Sequence, residues 1–229
     1  MNILAIESST DLISVALLHD GQLIERAGER GVNHSDRVLP IIQEVLAEAG
    51  MTLDAMDAFA FGAGPGSFTG LRLACGVTQG LAFGVDAPVI GVCSLEALAL
   101  DAGATWVYAC VDARMNEVYC AAYRVADGDV TIVIAPTVAA PEQAPLPTGA
   151  EWRGCGNGFA VYAAALRARL ANVADIDVAA VPRASAVARL AALRFARGEA
   201  VDAALAAPLY VRDKVALTTA ERLARGGKA

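Results

Sequence analysis

One stretch, Phe61–Gly91, limits the folds open to this chain more than any other. It begins with a glycine-rich turn over Gly62–Gly70, and the run that follows, Leu71–Phe83, predicts a helix. A short strand, Val89–Val92, is predicted after Pro88. Strand, glycine turn, helix and strand together make a βαβ unit, which requires parallel strands in an α/β sheet.

Glycine recurs every four residues within this predicted helix, at Gly76, Gly80 and Gly84. The three therefore lie along one helix face. An interior glycine costs about 1 kcal/mol relative to alanine, although Gly84 also suits a C-cap. We therefore predict that another backbone approaches this face closely, either from the same lobe or from another chain.

The composition indicates a globular protein of a reducing compartment. The 229 residues are 56% apolar, which is ample for a sizeable core. Five cysteines without a CxxC pair predict buried thiols. The two histidines, His19 and His34, stand alone in the sequence, so no metal site is predicted.

The formal net charge of −7 argues against a protein that holds nucleic acid on a broad basic surface. Lysine occurs only at Lys214 and Lys228, and the mildly basic tail Arg212–Lys228 is interpreted as a solvated face. No apolar run reaches the roughly 18 residues that a membrane-spanning helix needs. The N-terminal apolar run is too short for a signal peptide, so the sequence predicts a cytoplasmic protein with no membrane partner.

The chain repeats its element order in its second half. Residues 3–18 and 106–123 each contain an apolar strand, an acidic residue, a polar turn and a second apolar strand, and an Asp-Gly turn then leads to a third strand. Glu7 falls opposite Asp112 in this alignment. The pattern predicts an α/β protein of two lobes, residues 1–102 and 103–229, built from duplicated β-β-β-α-β-α units. This division leaves open whether the C-terminal segment packs back on the first lobe.

Several other elements are predicted. They are a helix over Asp36–Ala49 with Ser35 as its N-cap, a loop over Pro136–Pro147, a helix over Phe159–Leu170, a short strand over Val178–Val181 and a helix over Ser185–Arg197.

The glycine turn does not match the common catalytic motifs. A P-loop needs Gly-Lys-Ser/Thr, but Gly70 is followed by Leu71 and Arg72. The Gly-x-Ser-x-Gly of a nucleophile elbow fails around Ser67, and a dinucleotide fingerprint fails because Thr69 stands where its third glycine belongs. A peptidase is also disfavoured, because the sequence offers no recognisable nucleophile or metal set.

Two acidic turns, Glu7–Asp11 and Asp112–Glu117, remain as candidates for chemistry. A duplicated unit with an acid at the end of each first strand resembles the plan of the actin-like ATPase (ASKHA) superfamily, which holds Mg-nucleotide phosphates between its lobes. A phosphate loop needs small residues whose N–H groups can reach phosphate, whereas the second turn carries Arg114 and Met115 and no glycine. These turns are either a vestigial nucleotide site or simple capping carboxylates. The candidate residues of the vestigial site are Glu7, Ser8, Ser9, Thr10 and Asp112.

Five blocks of sequence resemble the TsaB (YeaZ) family, the dimerisation subunits of the bacterial tRNA threonylcarbamoyladenosine machinery. The most specific block is Gly64–Arg72 (GPGSFTGLR), and a shorter match, Pro208–Arg212, lies near the C-terminus. The other four blocks are Ile3–Thr10, His34–Pro40, Gly91–Leu95 and Val111–Tyr119.

The resemblance implies a two-lobed actin-like fold and a non-enzymatic role, as a scaffold for the paralogous catalytic subunit TsaD that works with the ATPase TsaE. TsaD-like sequences hold a metal on two histidines of a GVNHLEGH-like segment, and Ser94 and Leu98 stand in their places here. No catalytic residue and no metal are therefore implied for this chain. The chain departs from the family at Glu7, where aspartate is common, and at Asn116, where glycine is common.

The resemblance also implies the partners and cofactors. ATP or ADP is implied only at the assembled complex, and this chain is expected to contact tRNA only as part of that complex. The alternative function is an ATP-dependent phosphotransferase of the actin-like superfamily that uses Glu7 and Asp112.

In the family, the two helices of the first lobe contact TsaD. The sequence leaves open whether the same helices also form a symmetric homodimer when TsaD is absent. The wide apolar arc of the first helix and the glycine face of the second agree with an exposed contact surface. The predicted interface residues are Val38, Leu39, Ile42, Val45, Leu46, Leu73, Gly76, Val77, Gly80 and Gly84.

Overall fold

Two five-stranded mixed sheets form the frame of the computed structural model, which describes residues 1–149 and 151–212. The first sheet has the order β3-β2-β1-β4-β5 and the second the order β10-β9-β6-β7-β8. The strands of the first sheet are β1 (Asn2–Glu7), β2 (Ser14–His19), β3 (Gln22–Ala27), β4 (Ala58–Gly64) and β5 (Val89–Cys93). Those of the second are β6 (Trp106–Arg114), β7 (Glu117–Ala126), β8 (Asp129–Ala139), β9 (Trp152–Cys155) and β10 (Val173–Asp177).

The pairing of the strands is the same in both sheets. Strand β1 pairs antiparallel with β2 and parallel with β4, and β6 pairs antiparallel with β7 and parallel with β9. Both sheets end in a further parallel pair, β4 with β5 and β9 with β10. The predicted two-lobed actin-like α/β fold is therefore confirmed.

The described residues also contain six α-helices. They are α1 (His34–Ala49), α2 (Phe68–Val85), α3 (Ser94–Leu100), α4 (Gly158–Val161), α5 (Ala163–Arg169) and α6 (Ala184–Ala196). Between β8 and β9 the described residues form only a 3-10 turn, so the counterpart of α1 is missing from the second unit. None of the helices in residues 1–149 and 151–212 combines the length and apolarity needed to cross a membrane.

Helices α1 and α2 both begin earlier than the sequence predicts. Asn33 rather than Ser35 caps α1, because its side chain accepts a hydrogen bond from the backbone N–H of Ser35. Ser67 caps α2 in the same way, and the helix continues through Gly84 to a left-handed C-cap at Asp86. Gly84 is therefore an interior helical residue and not a C-cap.

Three predictions for the second lobe are wrong in detail. Strand β8 runs through Pro136 to Ala139, which is tolerated because β8 is an edge strand. The last strand of the sheet is β10, and residues 178–181 follow it as a turn whose backbone N–H groups bond to the Asp177 carboxylate. The predicted helix over 159–170 is split at Tyr162, which leaves the helical region.

The helices that follow the last strand of each unit pack across the boundary between the lobes. Helix α6 covers one face of the first sheet, where Leu190 packs with Ile3 and Ile90. Helix α3 in turn packs Leu95 and Leu98 against the second sheet. The apolar core of the first sheet therefore includes residues from beyond the predicted boundary between residues 102 and 103, up to Ala192 on one face and Ala203 on the other.

Candidate functional site

A cleft of about 860 Å³ separates the two lobes. The β1–β2 turn, the β4–α2 turn, the β6–β7 turn and the segment Leu209–Arg212 contribute to its walls. Of the residues predicted for a vestigial nucleotide site, Ser9, Thr10 and Asp112 line the cleft, whereas Glu7 and Ser8 do not. The structure therefore brings only part of that set to one place.

Glu7 is turned into the core, and its carboxylate is fully buried. One oxygen accepts a hydrogen bond from the backbone N–H of Ser9 at 2.6 Å, and the other accepts from the hydroxyl of Ser94 at 2.8 Å. Gly62 lies directly against it, since a Cβ there would be 1.8 Å from Oε2. Burial raises the pKa of Glu7, and the hydrogen bonds from Ser9 and Ser94 only partly offset that effect.

Glu7→Gln is expected to change how stability depends on pH. Because the folded-state pKa lies above the ordinary value of 4.5, Glu7 stabilises the fold most below about pH 4.5 and loses that contribution as the pH rises through the folded-state pKa. Glutamine keeps an acceptor for Ser9 and carries no charge to bury, so the melting temperature of the variant relative to the parent should rise from pH 4.5 to pH 8. Melting curves of both proteins across that range test this, and a constant difference would contradict it.

Asp112 occupies the corresponding position in the second lobe, but its carboxylate already has partners within the chain. Oδ1 accepts from the backbone N–H of Arg114 at 2.9 Å and from the hydroxyl of Tyr162 at 3.1 Å. Oδ2 lies 3.1 Å from the Arg114 guanidinium. Few acceptor positions remain on this carboxylate for a metal-bound ligand.

The β6–β7 turn that follows Asp112 has an unusual backbone. Arg114, Met115 and Asn116 have φ values of 61°, 55° and 60°, which place three successive non-glycine residues in the left-handed region. Each costs on the order of 1 kcal/mol relative to glycine. The side chains of Arg114 and Met115 project into solvent at the mouth of the cleft, so the turn does not form a smooth backbone cradle for phosphate.

The glycine turn between β4 and α2 packs on the chain's own β1–β2 turn. A Cβ on Gly70 would lie 1.9 Å from the carbonyl oxygen of Ser8, and a Cβ on Gly66 would lie 2.5 Å from that of Ser9. Ser9 O also accepts from the N–H of Ser67 at 2.7 Å. These glycines are required because two backbones meet, and the N–H of Gly70 is used by the Ser67 side chain that caps α2.

The residues present do not fit a Mg-nucleotide held between two carboxylates. Glu7 faces away from the cleft, and Asp112 is bonded within its own lobe. Nothing in this geometry favours the phosphotransferase alternative. The described residues also contain no group of three His, Cys, Asp or Glu side chains placed to hold a metal ion.

Ser94 and Leu98, which the resemblance places where TsaD-like sequences carry metal-binding histidines, are both buried. Ser94 begins α3 and donates its hydroxyl to Glu7, and Leu98 packs in the core between α3 and the second sheet. Ser94 therefore has a structural role in this chain, since its hydroxyl holds the buried carboxylate of Glu7.

The predicted contact residues of α1 divide into two groups. Val38, Ile42 and Val45 are buried in the core between α1, α2 and the first sheet. Their side chains therefore cannot contact a partner, and this part of the predicted interface is corrected. The wide apolar arc of α1 is largely covered within the chain, because the helix packs on β2, β3 and α2 together. Leu39 is 52% exposed and Leu46 is half-buried, and these two remain on the surface.

The predicted contact residues of α2 all reach the surface. Gly76, Gly80 and Gly84 are exposed, and a Cβ on any of them would meet nothing within 4 Å. Leu73 and Val77 are half-buried beside them. No backbone of the described residues fills the space above this glycine face, so the close neighbour predicted from the glycine spacing is not found within the lobe.

Sequence reasoning missed one further residue of this face. Phe83 is 59% exposed and lies three residues after Gly80 and seven after Gly76, so it shares their side of the helix. That spacing was visible in the sequence. Arg72 is the only charged side chain in the 18 residues of α2, so the exposed face is almost entirely apolar.

Comparison with known proteins identifies the family. Residues 29–220 match the family described as TsaD: tRNA N6-adenosine threonylcarbamoyltransferase. The Escherichia coli (strain K12) protein described as tRNA threonylcarbamoyladenosine biosynthesis protein TsaB is 36% identical over 225 residues, which cover 94% of this chain and 96% of that protein. The chain belongs to the TsaB (YeaZ) family. The resemblance that the sequence blocks predicted is thereby confirmed.

Other members of the TsaB (YeaZ) family match over nearly the same length. The Haemophilus influenzae TsaB is 38% identical over 231 residues, covering 94% of this chain and 95% of that protein. A solved structure of YeaZ from Pseudomonas aeruginosa is 40% identical, with a TM-score of 0.85 and coverage of 91% of this chain and 99% of that one. The family fold thus extends over both lobes of the chain.

Proposed function

We propose that this chain acts in tRNA threonylcarbamoyladenosine biosynthesis as a non-catalytic scaffold, and that it docks TsaD through α1 and α2. The observation that supports this most directly is the open glycine face of α2. Three glycines at helical spacing lie on the surface with no neighbour of the described chain above them. Their cost in helix stability is explained if a partner helix approaches there.

The chemistry of the face also fits a helical partner. Small residues let two helix backbones approach, and the flanking Leu39, Leu73, Val77 and Phe83 supply apolar contact area. Burying such area contributes about 25 cal/mol per Å². The scarcity of charge on α2 means that a partner would desolvate few ionic groups on docking.

The proposal that the chain is not catalytic is supported by the side chains in and behind the cleft. The two acidic turns are engaged within the chain, and the positions of the TsaD metal ligands are occupied by Ser94 and Leu98. The chain alone is accordingly proposed to bind no nucleotide, with ATP or ADP bound at the complex that also contains TsaE. Contact with tRNA is proposed only within that complex.

Gly80→Leu is expected to weaken binding to TsaD at least tenfold, which corresponds to about 1.4 kcal/mol. The leucine fills open space on the chain itself, so the fold should be unaffected, while a close-packed partner helix would be displaced. Calorimetric titration of TsaD with each purified variant measures the change in Kd.

Ala168→Leu is the matched control, because it places the same side chain at an exposed helical position on α5 of the second lobe. This variant should bind TsaD as the parent does. Equal affinity of the parent and the Gly80→Leu chain, with both folded by circular dichroism, would refute docking on this face.

The same face is proposed to support a homodimer when TsaD is absent. A symmetric dimer would place two glycine faces together and would compete with the heterodimer.

A further inference from the structure

Residues 201–212 run as a strap along the first lobe before they reach the cleft. Val201 and Val89 of β5 exchange two backbone hydrogen bonds, at 2.8 and 2.9 Å. The side-chain amide of Gln79 on α2 then donates to the carbonyl oxygen of Ala203 at 2.9 Å. The strap is therefore fixed to both a strand and a helix of the first lobe.

The strap enters the cleft beside the β4–α2 turn. The N–H of Leu209 donates to the carbonyl oxygen of Ala63 in β4 at 2.7 Å. The ring centroid of Tyr210 lies 6.0 Å from that of Phe68, and the Tyr210 hydroxyl accepts from Nε of Arg72 at 3.1 Å. Leu209 and Tyr210 thus form part of the first-lobe wall of the cleft.

Arg212, two residues further on, bonds to the opposite wall. Its Nη2 donates to the carbonyl oxygen of Ala113 at 3.0 Å and to the carboxylate of Glu117 at 2.6 Å. Its Nη1 lies 3.6 Å from the sulfur of Met115, and its guanidinium carbon lies 5.6 Å from the ring centroid of Tyr119. All four partners belong to β6, β7 or the turn between them, so one side chain connects the strap to the second lobe.

The strap supplies the polar connection between the two walls of the cleft. Within residues 1–149 and 151–212, no hydrogen bond or ion pair runs directly from the β1–β2 or β4–α2 turn to the β6–β7 turn. The lobes are also joined by the packing of α3 and α6. Packed helices permit small sliding movements, so the contact made by Arg212 is suited to set the width of the cleft.

We infer that Arg212 is a clasp that holds the mouth of the cleft closed, and that loss of its bond to Glu117 lets the two walls separate. The Glu117 side chain is 37% exposed and that of Arg212 is 13% exposed, so water reaches the carboxylate and the pair can open reversibly. The inference is independent of the proposed function, because neither residue belongs to the α1 and α2 surface assigned to TsaD.

The clasp also accounts for the backbone of the β6–β7 turn. Three successive left-handed residues, 114–116, persist where their surroundings hold them in place. Arg212 contacts Ala113 before them, Met115 in the middle and Glu117 after them. Release of Arg212 should therefore loosen this turn as well as widen the cleft.

Double electron–electron resonance between spin labels on the two lobes measures the width of the cleft. Thr69→Cys on α2 and Val161→Cys on α4 carry the labels, because both positions are exposed and the five native cysteines are buried. Arg212→Ala is expected to lengthen the distance between the labels by several ångströms and to broaden its distribution. Glu117→Ala should do the same, and the double variant should add nothing further, since both substitutions break one contact.

Arg30→Ala is the matched control. Arg30 also lines the cleft, but its partner Asp11 belongs to the same lobe, with both carboxylate oxygens within 2.8 Å of Nη1. The label distance in this variant should equal that of the parent, with every variant shown to be folded by circular dichroism.

The outcomes decide the role of the clasp. Longer distances in Arg212→Ala and Glu117→Ala, without further lengthening in the double variant and without change in Arg30→Ala, support the inference. An unchanged distance in Arg212→Ala refutes it, because α3 and α6 then fix the lobes without the clasp. Additive lengthening in the double variant, or equal lengthening in Arg30→Ala, also overturns it.

Discussion

Gly70→Ala is expected to lower the free energy of unfolding by about 3 kcal/mol. The added Cβ would lie 1.9 Å from the carbonyl oxygen of Ser8, and a backbone atom cannot move aside as the tip of a side chain can. The β1–β2 turn would have to shift, which also breaks the 2.8 Å hydrogen bond from the Ser8 hydroxyl to Gly70 O. For a chain of this length the melting temperature should fall by about 6–12 °C.

Gly76→Ala in the same helix is the matched control and should change stability in the opposite direction. Its Cβ meets nothing within 4 Å, so the variant gains up to about 1 kcal/mol of helix propensity. Thermal and urea unfolding followed by circular dichroism measure both variants. Similar effects of the two substitutions would mean that helix propensity, and not the contact with Ser8, decides the role of these glycines.

Leu190→Ala is expected to destabilise the protein by about 3 kcal/mol. Leu190 is almost completely buried where α6 covers the first sheet, so its truncation leaves a cavity between elements that are distant in sequence. Since α6 and α3 each pack across the boundary between the lobes, the loss should affect both lobes together and not the first alone.

The two tryptophans give a direct readout of this coupling. Trp106 and Trp152 are 5.3 Å apart between ring centroids and both belong to the second lobe. The midpoint of their fluorescence transition in urea should shift as much as that of the circular dichroism signal. A fluorescence midpoint that stays at the parent value would show that the lobes unfold independently. Leu193→Ala, at a half-buried position of the same helix, should give a smaller shift of both signals.

The repeated strand order was predictable because hairpin signals are local. Asp-Gly at residues 20–21 and 127–128 fixes two turns, and each turn joins strands that pair directly. Strand β10 was missed because Asp175 and Asp177 make its sequence look like a loop, while its pairing with β9 is decided by tertiary contact. The predicted basic tail beyond Arg212 lies outside the described residues.

The site was predictable only where its geometry is set within one element. The spacing of Gly76, Gly80 and Gly84 predicted a face that the structure leaves open. The inward orientation of the Glu7 carboxylate could not be predicted, because it depends on Gly62 and Ser94, which come from two other elements. The burial of Val38 within α1 likewise depends on how many neighbours the helix packs against, which the apolar pattern alone does not specify.

The placement of α6 on the first sheet has a consequence for synthesis of the protein. Emerging from the ribosome N-terminus first, the chain completes the strands of its first sheet at Cys93, but the helix that covers one face of that sheet begins only at Ala184. At a synthesis rate of about 5–20 residues per second, that apolar face stays exposed for about 5–18 seconds before α6 begins to emerge. The nascent first lobe is therefore a natural client for chaperones that bind exposed apolar strands.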